Sequence, residues 1–285
     1  MAAPLILVVG ATGTVGSEVV KQLVAGGHRV RALVRDPARA ATLGTGVEIV
    51  VGDLERPDTL GPAFAGVEKA FVLAPPTPLL ATLEGNAFEA ARLAGVGHVV
   101  KLSAFGVGMF KEVPWVRHGA SEAKLRESGL AWTILRPTRF MNDTPFPWTW
   151  DRQHGTVLEA TGDARMTLID PVDIAAVAVT VLTTPGHDGQ VYELTSAEAL
   201  TGAELAQTIA TAIGRPVRFI DTPPDSLRER ILASGVPGFV ADATLNYFAS
   251  VRTGRWYTTS TVADLLGRPA RSFAEWLRNH PGALA

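Results

Sequence analysis

The sequence predicts an α/β protein built on a doubly wound parallel sheet, with a smaller and mostly helical C-terminal region. Three observations carry that expectation. Short, uniformly apolar runs alternate with helical patterns up to about residue 140, as strands covered on both faces by crossover helices require. The first run enters a corner of three glycines, "GATGTVG", which opens directly into a helical pattern. The rhythm then breaks, and most of the remaining chain reads as helix.

In chain order, "LILVVG" is the first strand, followed by a helix from about Thr14 to Ala25. "RVRALVR" is the second strand and leads into a small-residue segment; "VEIVVGDL" is the third, with a helical piece around Asp58 to Phe64. "KAFVLAPP" precedes a long Ala-rich helix from about Pro78 to Leu93. "HVVKLSAFG" precedes a helix from about Val113 to Ser128, which leads into "AWTILRPTRF". Right-handed crossovers between such strands give a Rossmann-like sheet, whose ligands bind beyond the strand carboxyl ends.

Residues 141 to 162 carry Pro145, Phe146, Pro147, Trp148 and Trp150 with little periodicity, and read as an aromatic-rich connection. A helix follows "IDPVD" from about Val172 to Leu182, with Asp173 as its expected cap. The strand "QVYELT", a helix from about Gly202 to Ile213, the short strand "PVRFID" and a helical remainder complete the chain, with Trp276 expected in the core. The expected division is a Rossmann core over 1–140 and a substrate-binding cap over 141–285, resting on the carboxyl edge of the sheet, with some later elements returning to the core.

Composition bounds the function. Of 285 residues, 47% are hydrophobic and 19% charged, ample for a buried core and too apolar for disorder. A net charge of −2 leaves no electrostatic footprint for nucleic acid or an anionic membrane. The absence of cysteine removes disulfides, thiolate nucleophiles and thiolate metal ligands together. The apolar run from Pro4 to Val9 is far too short to span a bilayer. A cytoplasmic globular protein acting on a small molecule, as a monomer or homodimer, is expected.

The three glycines have distinct physical reasons. Gly10 allows a tight turn, Gly13 presents no Cβ to an approaching pyrophosphate, and Gly16 lets the helix pack close to the sheet. The amides and dipole at the helix start then favour phosphate. A dinucleotide is therefore expected at this corner. Which one is decided at the end of the second strand, where NAD-binding folds place an acid for the ribose 2′-hydroxyl. Arg35 stands there instead, with Arg39 four residues on, and Asp36 falls in the turn that follows. A guanidinium suits a 2′-phosphate, so NADP(H) is expected over NAD(H).

At these residues the sequence resembles the NmrA-like branch of the atypical short-chain dehydrogenase/reductases, and is similar to type 2 quinone oxidoreductases. The matching pieces are "VVGATGTVGSEVVKQL", "ALVRDPARA", "VVGDL", "VVKLSAFG", "HGASEAKLRESGLAWTILRPTRFMN" and "LLGRPARSFAEWL". The resemblance implies that Thr12, Thr14 and Val15 flank the pyrophosphate and that Asp53 and Leu54 lie beside the adenine. It also implies that the loop from Ala74 and Pro75 to Thr77 runs under the nicotinamide ribose. Asp53 reads equally well as a cap for the next helix.

The pattern departs from orthodox short-chain dehydrogenases in one respect. None of Tyr192, Tyr247 and Tyr257 has a lysine at the fourth position after it, so the usual acid–base pair is missing. His118 occupies the helix position where that tyrosine would fall, with Glu122 one turn on, and Ser103 ends the fifth strand. Three options stay open. His118 donates a proton with its pKa raised by Glu122; no protein acid is needed, as when water protonates a reduced quinone; or there is no chemistry and the chain is a non-catalytic NADP(H)-sensing regulator of the NmrA type. Ser103 reads either as a substrate or ribose contact or as a strand-end residue. Trp115, His118, Phe140, Met141 and Trp148, with Phe146 and Trp150 nearby, are candidates for an apolar pocket wall, or for ordinary packing. The histidines lack metal-ligand spacing and no Gly-x-Ser-x-Gly elbow exists, so neither a metal nor a hydrolase nucleophile is expected. The leading expectation is an NADPH-dependent oxidoreductase acting on a quinone, enone, imine or carbonyl compound.

Overall fold

The computed structural model describes residues 4–284. In chain order, the elements begin with β1 (Leu5–Val9), α1 (Thr14–Ala25), β2 (Arg29–Val34), β3 (Val47–Val51), α2 (Gly61–Phe64) and β4 (Lys69–Val72). They continue with α3 (Leu80–Leu93), β5 (His98–Leu102), α4 (Trp115–Glu127), β6 (Trp132–Pro137) and β7 (Arg139–Phe140). Next come β8 (Trp150–Asp151), β9 (Thr156–Glu159), β10 (Met166–Ile169), α5 (Pro171–Thr183) and β11 (Gln190–Leu194). The chain closes with β12 (Ala199–Leu200), α6 (Gly202–Ile213), β13 (Arg218–Asp221), α7 (Pro224–Ala233), α8 (Gly238–Arg252), α9 (Thr261–Leu266) and α10 (Phe273–Asn279).

Contacts divide the chain into two units. The first runs to Pro137 and adds Pro171–Leu194. It holds a seven-stranded sheet in the order β11-β6-β5-β4-β1-β2-β3, with every pair parallel. The pleat explains the unbroken apolar strands. Leu5, Leu7 and Val9 on one face of β1 share a buried cluster with Phe64 of α2, Phe88 of α3 and Leu125 of α4. Ile6 and Val8, on the opposite face, are equally shielded. The strand order reverses at β1, between β4 and β2, and puts the Gly10 corner at the switch point where such sheets bind ligands.

The second unit comprises Thr138–Asp170 and Thr195–Ala285. It contains two three-stranded sheets, β12-β10-β7 and β13-β9-β8, together with α6 to α10. Thr201 with Glu204 caps α6, and Ser272 with Glu275 caps α10, each through a reciprocal capping box. Trp276 is buried. Among the described residues, no helix is long and apolar enough to cross a membrane.

Three expectations need correction. "AWTILRPTRF" is not one strand: it breaks after Pro137, and Arg139–Phe140 pairs with β10 in a different sheet. The aromatic connection contains two strands, with Trp150 opposite Val157 in an antiparallel hairpin. Strands of two and four residues are too short to show a period of two. Asp173 lies buried within the first turn of α5, because Pro171 already begins the helix.

Candidate cofactor and acceptor site

The glycine corner has a distinct structural demand at each position. Gly10 has φ +76°, and a Cβ there would lie 2.6 Å from the Leu73 carbonyl oxygen. A Cβ on Gly16 would strike the Gly10 carbonyl oxygen. The backbone of the fold thus requires both glycines. Gly13 does not fit that explanation. Its backbone is extended (φ −87°, ψ 173°), and a Cβ would meet only the Gly10 oxygen, at 3.3 Å. Gly13 and Thr14 are exposed, and no side chain caps α1. An absent Cβ at an exposed position is what a closely approaching diphosphate needs, so the residues present fit that group. Thr12 is half-buried, while the Val15 side chain belongs to the core, leaving its backbone amide as its only means of holding a phosphate.

Across from this corner, β2 runs in parallel register with β1, Val9 opposite Leu33. Arg35 follows the strand end and is exposed, as is Arg39. Among the described residues neither has an ion-pair partner. Asp36 caps the short 3-10 helix Pro37–Leu43 by accepting the Ala38 N–H at 2.9 Å, as its expected place in the turn requires. Beyond β3, Asp53 Oδ1 accepts the Glu55 N–H at 3.0 Å and the Asp53 N–H donates to Thr59 Oγ1 at 2.9 Å. One carboxylate oxygen of Asp53 is therefore occupied in its own turn. Asn86, missed in the sequence, ties this loop down by donating to the Leu54 carbonyl at 2.7 Å.

Beyond β4, Ala74 is buried and Pro75 exposed. Beyond β5, Ser103 Oγ donates to Glu122 Oε1 at 2.6 Å. Glu122 also accepts from Arg136 Nε at 2.9 Å and Nη2 at 2.7 Å, and from Arg126 Nη2 at 3.0 Å. Burial pushes the Glu122 carboxyl up, but the bonds from Arg136 and Ser103 outweigh it and hold the group below the usual carboxylate range.

His118 is 8% exposed on the buried face of α4 with Ser121, Glu122 and Leu125, and its Nδ1 is shielded without a hydrogen-bond partner. Burial, reinforced by the Lys101 ammonium, holds its pKa well below the ordinary imidazole value. The expectation that Glu122 raises this pKa is overturned. Glu122 is committed to Ser103 and the arginines, so the ring is a neutral imidazole at pH 7. Trp115 is packed inside this unit at 3% exposure, its indole N–H donating to the Phe105 carbonyl at 2.7 Å and its ring 4.6 Å from Phe110. Its role here is packing.

Within the second unit, Met141 is fully buried, whereas Phe140 and Trp148 are half-buried. Phe146 stacks on Trp148 with centroids 5.4 Å apart. The Arg139 guanidinium lies 3.9 Å from the Phe146 centroid and 2.9 Å from Glu159 Oε1. Arg139, Glu159, Lys101 and Arg136 were all missed. The available signal was a charged residue standing inside an otherwise apolar strand run, as in "HVVKLS" and "WTILRP".

Comparison with known proteins agrees with the corner's geometry. The NAD(P)H-binding family matches residues 10–185. The NAD(P)H azoreductase of Xenophilus azovorans is 38% identical over 98% of this chain and 99% of its own length. The (4-alkanoyl-5-oxo-2,5-dihydrofuran-3-yl)methyl phosphate reductase of Streptomyces griseus is 38% identical over 99% of each chain. The crystal structure of an NADPH-dependent quinone oxidoreductase from Escherichia coli, complexed with NADPH, superposes with a TM-score of 0.89 at 26% identity, covering 96% of this chain and 99% of the other. With a glycine corner shaped for a diphosphate, an all-parallel sheet that reverses order at that corner, and relatives matched along nearly their whole length, the chain belongs to the NAD(P)H-binding family.

Proposed function

We propose that this NAD(P)H-dependent oxidoreductase uses NADPH in preference to NADH and reduces a small apolar acceptor of the quinone, enone, imine, azo or carbonyl class. The observation that carries the reading is Gly13, the exposed glycine of the corner, where a Cβ would meet only the Gly10 oxygen, at 3.3 Å, and whose backbone needs no glycine. Gly10, Gly13 and Gly16, with the amides of Thr12, Thr14 and Val15, are assigned to the diphosphate. Arg35, supported by Arg39, is assigned to the adenosine 2′-phosphate. Asp53 and Leu54 are assigned to the adenine side, Ala74 and Pro75 to the nicotinamide side. The bound NADPH supplies a hydride.

What the chain contributes is orientation and an apolar surround rather than an acid. Ser103 has its proton directed at Glu122, so it can only accept from a ligand. His118 is a neutral imidazole, a weak acid, and suits a hydrogen bond to the acceptor better than delivery of a proton. Of the three sequence options, this favours the one in which water supplies the proton. Phe140 and Trp148 are proposed as flat apolar contacts to the acceptor, and the fully buried Met141 as packing in the same unit. The azoreductase and quinone oxidoreductase among its relatives favour turnover over a purely sensing role.

The test is NADPH oxidation by the purified protein against a panel of quinones, enones, imines, carbonyl and azo compounds. Turnover with at least one class is expected. NADPH binding with silence across the whole panel would point to the regulator instead.

A further inference from the structure

An ion pair lies buried in the first unit with no part in the functions assigned above. Lys101 Nζ is 2.7 Å from Glu84 Oε2, and both side chains are fully shielded from solvent. Ser121 Oγ donates to the same carboxylate oxygen. Glu84 Oε1 accepts the Ala74 N–H at 3.3 Å, and Lys101 Nζ also donates to the Leu102 carbonyl at 3.1 Å. A buried pair of this kind is weak evidence of a role in stability, since apolar side chains of similar volume often replace one at little net cost.

Its placement is the informative part. The pair joins α3, the segment beyond β4, the end of β5 and α4. Ala74 directly follows Leu73, whose carbonyl oxygen closes off the space at Gly10. Ser121 lies one turn beyond His118 on the same buried face of α4.

We propose that Glu84 and Lys101 are positioning residues of the reductase site, fixing the end of β4 against the Gly10 corner and the His118 face of α4 against the end of β5. This rests on the cofactor reading above. Two features support it. Burial and, after it, the Lys101 ammonium hold the His118 pKa below its ordinary value, so the pair lies within electrostatic reach of that face of α4. The neighbouring carboxylate of α4, Glu122, is held by Arg136 of β6 and by Arg126, which leaves Glu84 of α3 as the carboxylate that faces Lys101.

The test is the double variant Glu84→Leu/Lys101→Met, which removes both charges together and keeps the volume, with Lys101→Met alone beside it. Three readouts are taken: thermal melting, the NADPH dissociation constant by fluorescence titration, and the His118 imidazole titration by NMR. The double variant is expected to melt within a few degrees of the parent while its NADPH constant rises roughly tenfold. In both variants the His118 midpoint moves up while burial keeps it below the ordinary value, and an unmoved midpoint would show that the Lys101 charge does not reach the ring. A folded double variant with the parent's NADPH constant overturns the proposal. So does a double variant that cannot fold, because the pair would then serve the core. Failure of the parent protein to bind NADPH would instead overturn the cofactor reading itself.

Discussion

Gly10 and Gly13 stand three residues apart and answer to different constraints. At Gly10 the left-handed backbone and the Leu73 carbonyl both exclude a side chain. Gly10→Ala is therefore expected to cost at least about 2 kcal/mol of stability, measured by urea denaturation. Loss of only a few tenths would show that the corner relaxes easily. Arg35 is the matching case on the ligand side, since it is exposed and has no ion-pair partner among the described residues. Arg35→Asp should weaken NADPH by roughly 2 kcal/mol, about thirtyfold, while NADH changes little. Equal weakening of both dinucleotides in calorimetric titration would show that Arg35 does not read the 2′-phosphate. The turn at Gly10 and the place of Arg35 just beyond a strand end were legible in the sequence because their reasons are local.

At the scale of elements, β5 and α4 hold two polar networks side by side, one around Glu84 and one around Glu122. Neither was legible. A lysine in "HVVKLS" and an arginine in "WTILRP" look alike on paper, and only the tertiary pairing of β5, β6, α3 and α4 gives each its carboxylate. The same limit applies to His118. Its place one turn from Glu122 followed from helical spacing, whereas its neutrality depends on burial and on Lys101, both supplied by tertiary packing. Glu122→Ala is expected to lower stability by about 3 kcal/mol in urea titration, because Arg136 and Ser103 lose their shared acceptor in a shielded site. A loss below about 1 kcal/mol would mean that solvent reaches Arg136 and replaces the carboxylate. The small strands of the second unit were missed for a different reason. β7 and β8 have two residues each, so only their partners reveal them.

For the whole molecule, the half-buried His98 and the buried His118 shape the response to mild acid. Burial, with help from Lys69, lowers the His98 pKa to about 4, and His118 is also held well below its ordinary value. In the unfolded chain both titrate near 6.5, so on acidification the unfolded state binds these protons first. Stability is fully present above pH 6.5 and falls as the pH drops toward 4, by up to about 1.4 kcal/mol per pH unit for each histidine. Urea midpoints at pH 7.5, 6 and 5 should decline in that order, and a flat series would contradict the neutral state of both rings. The parallel sheet and its switch point were legible throughout, because unbroken apolar strands alternating with helices admit few other arrangements. The claim on which the functional account depends is that the open face of Gly13 receives a diphosphate. Calorimetric titration of Gly13→Ala with NADPH tests it most directly, since an extended backbone accepts alanine and its Cβ would meet only the Gly10 oxygen, at 3.3 Å. The variant is expected to melt within a few degrees of the parent yet to bind NADPH at least about a hundredfold more weakly. Parent-like affinity in that variant would mean that the dinucleotide does not sit on this corner.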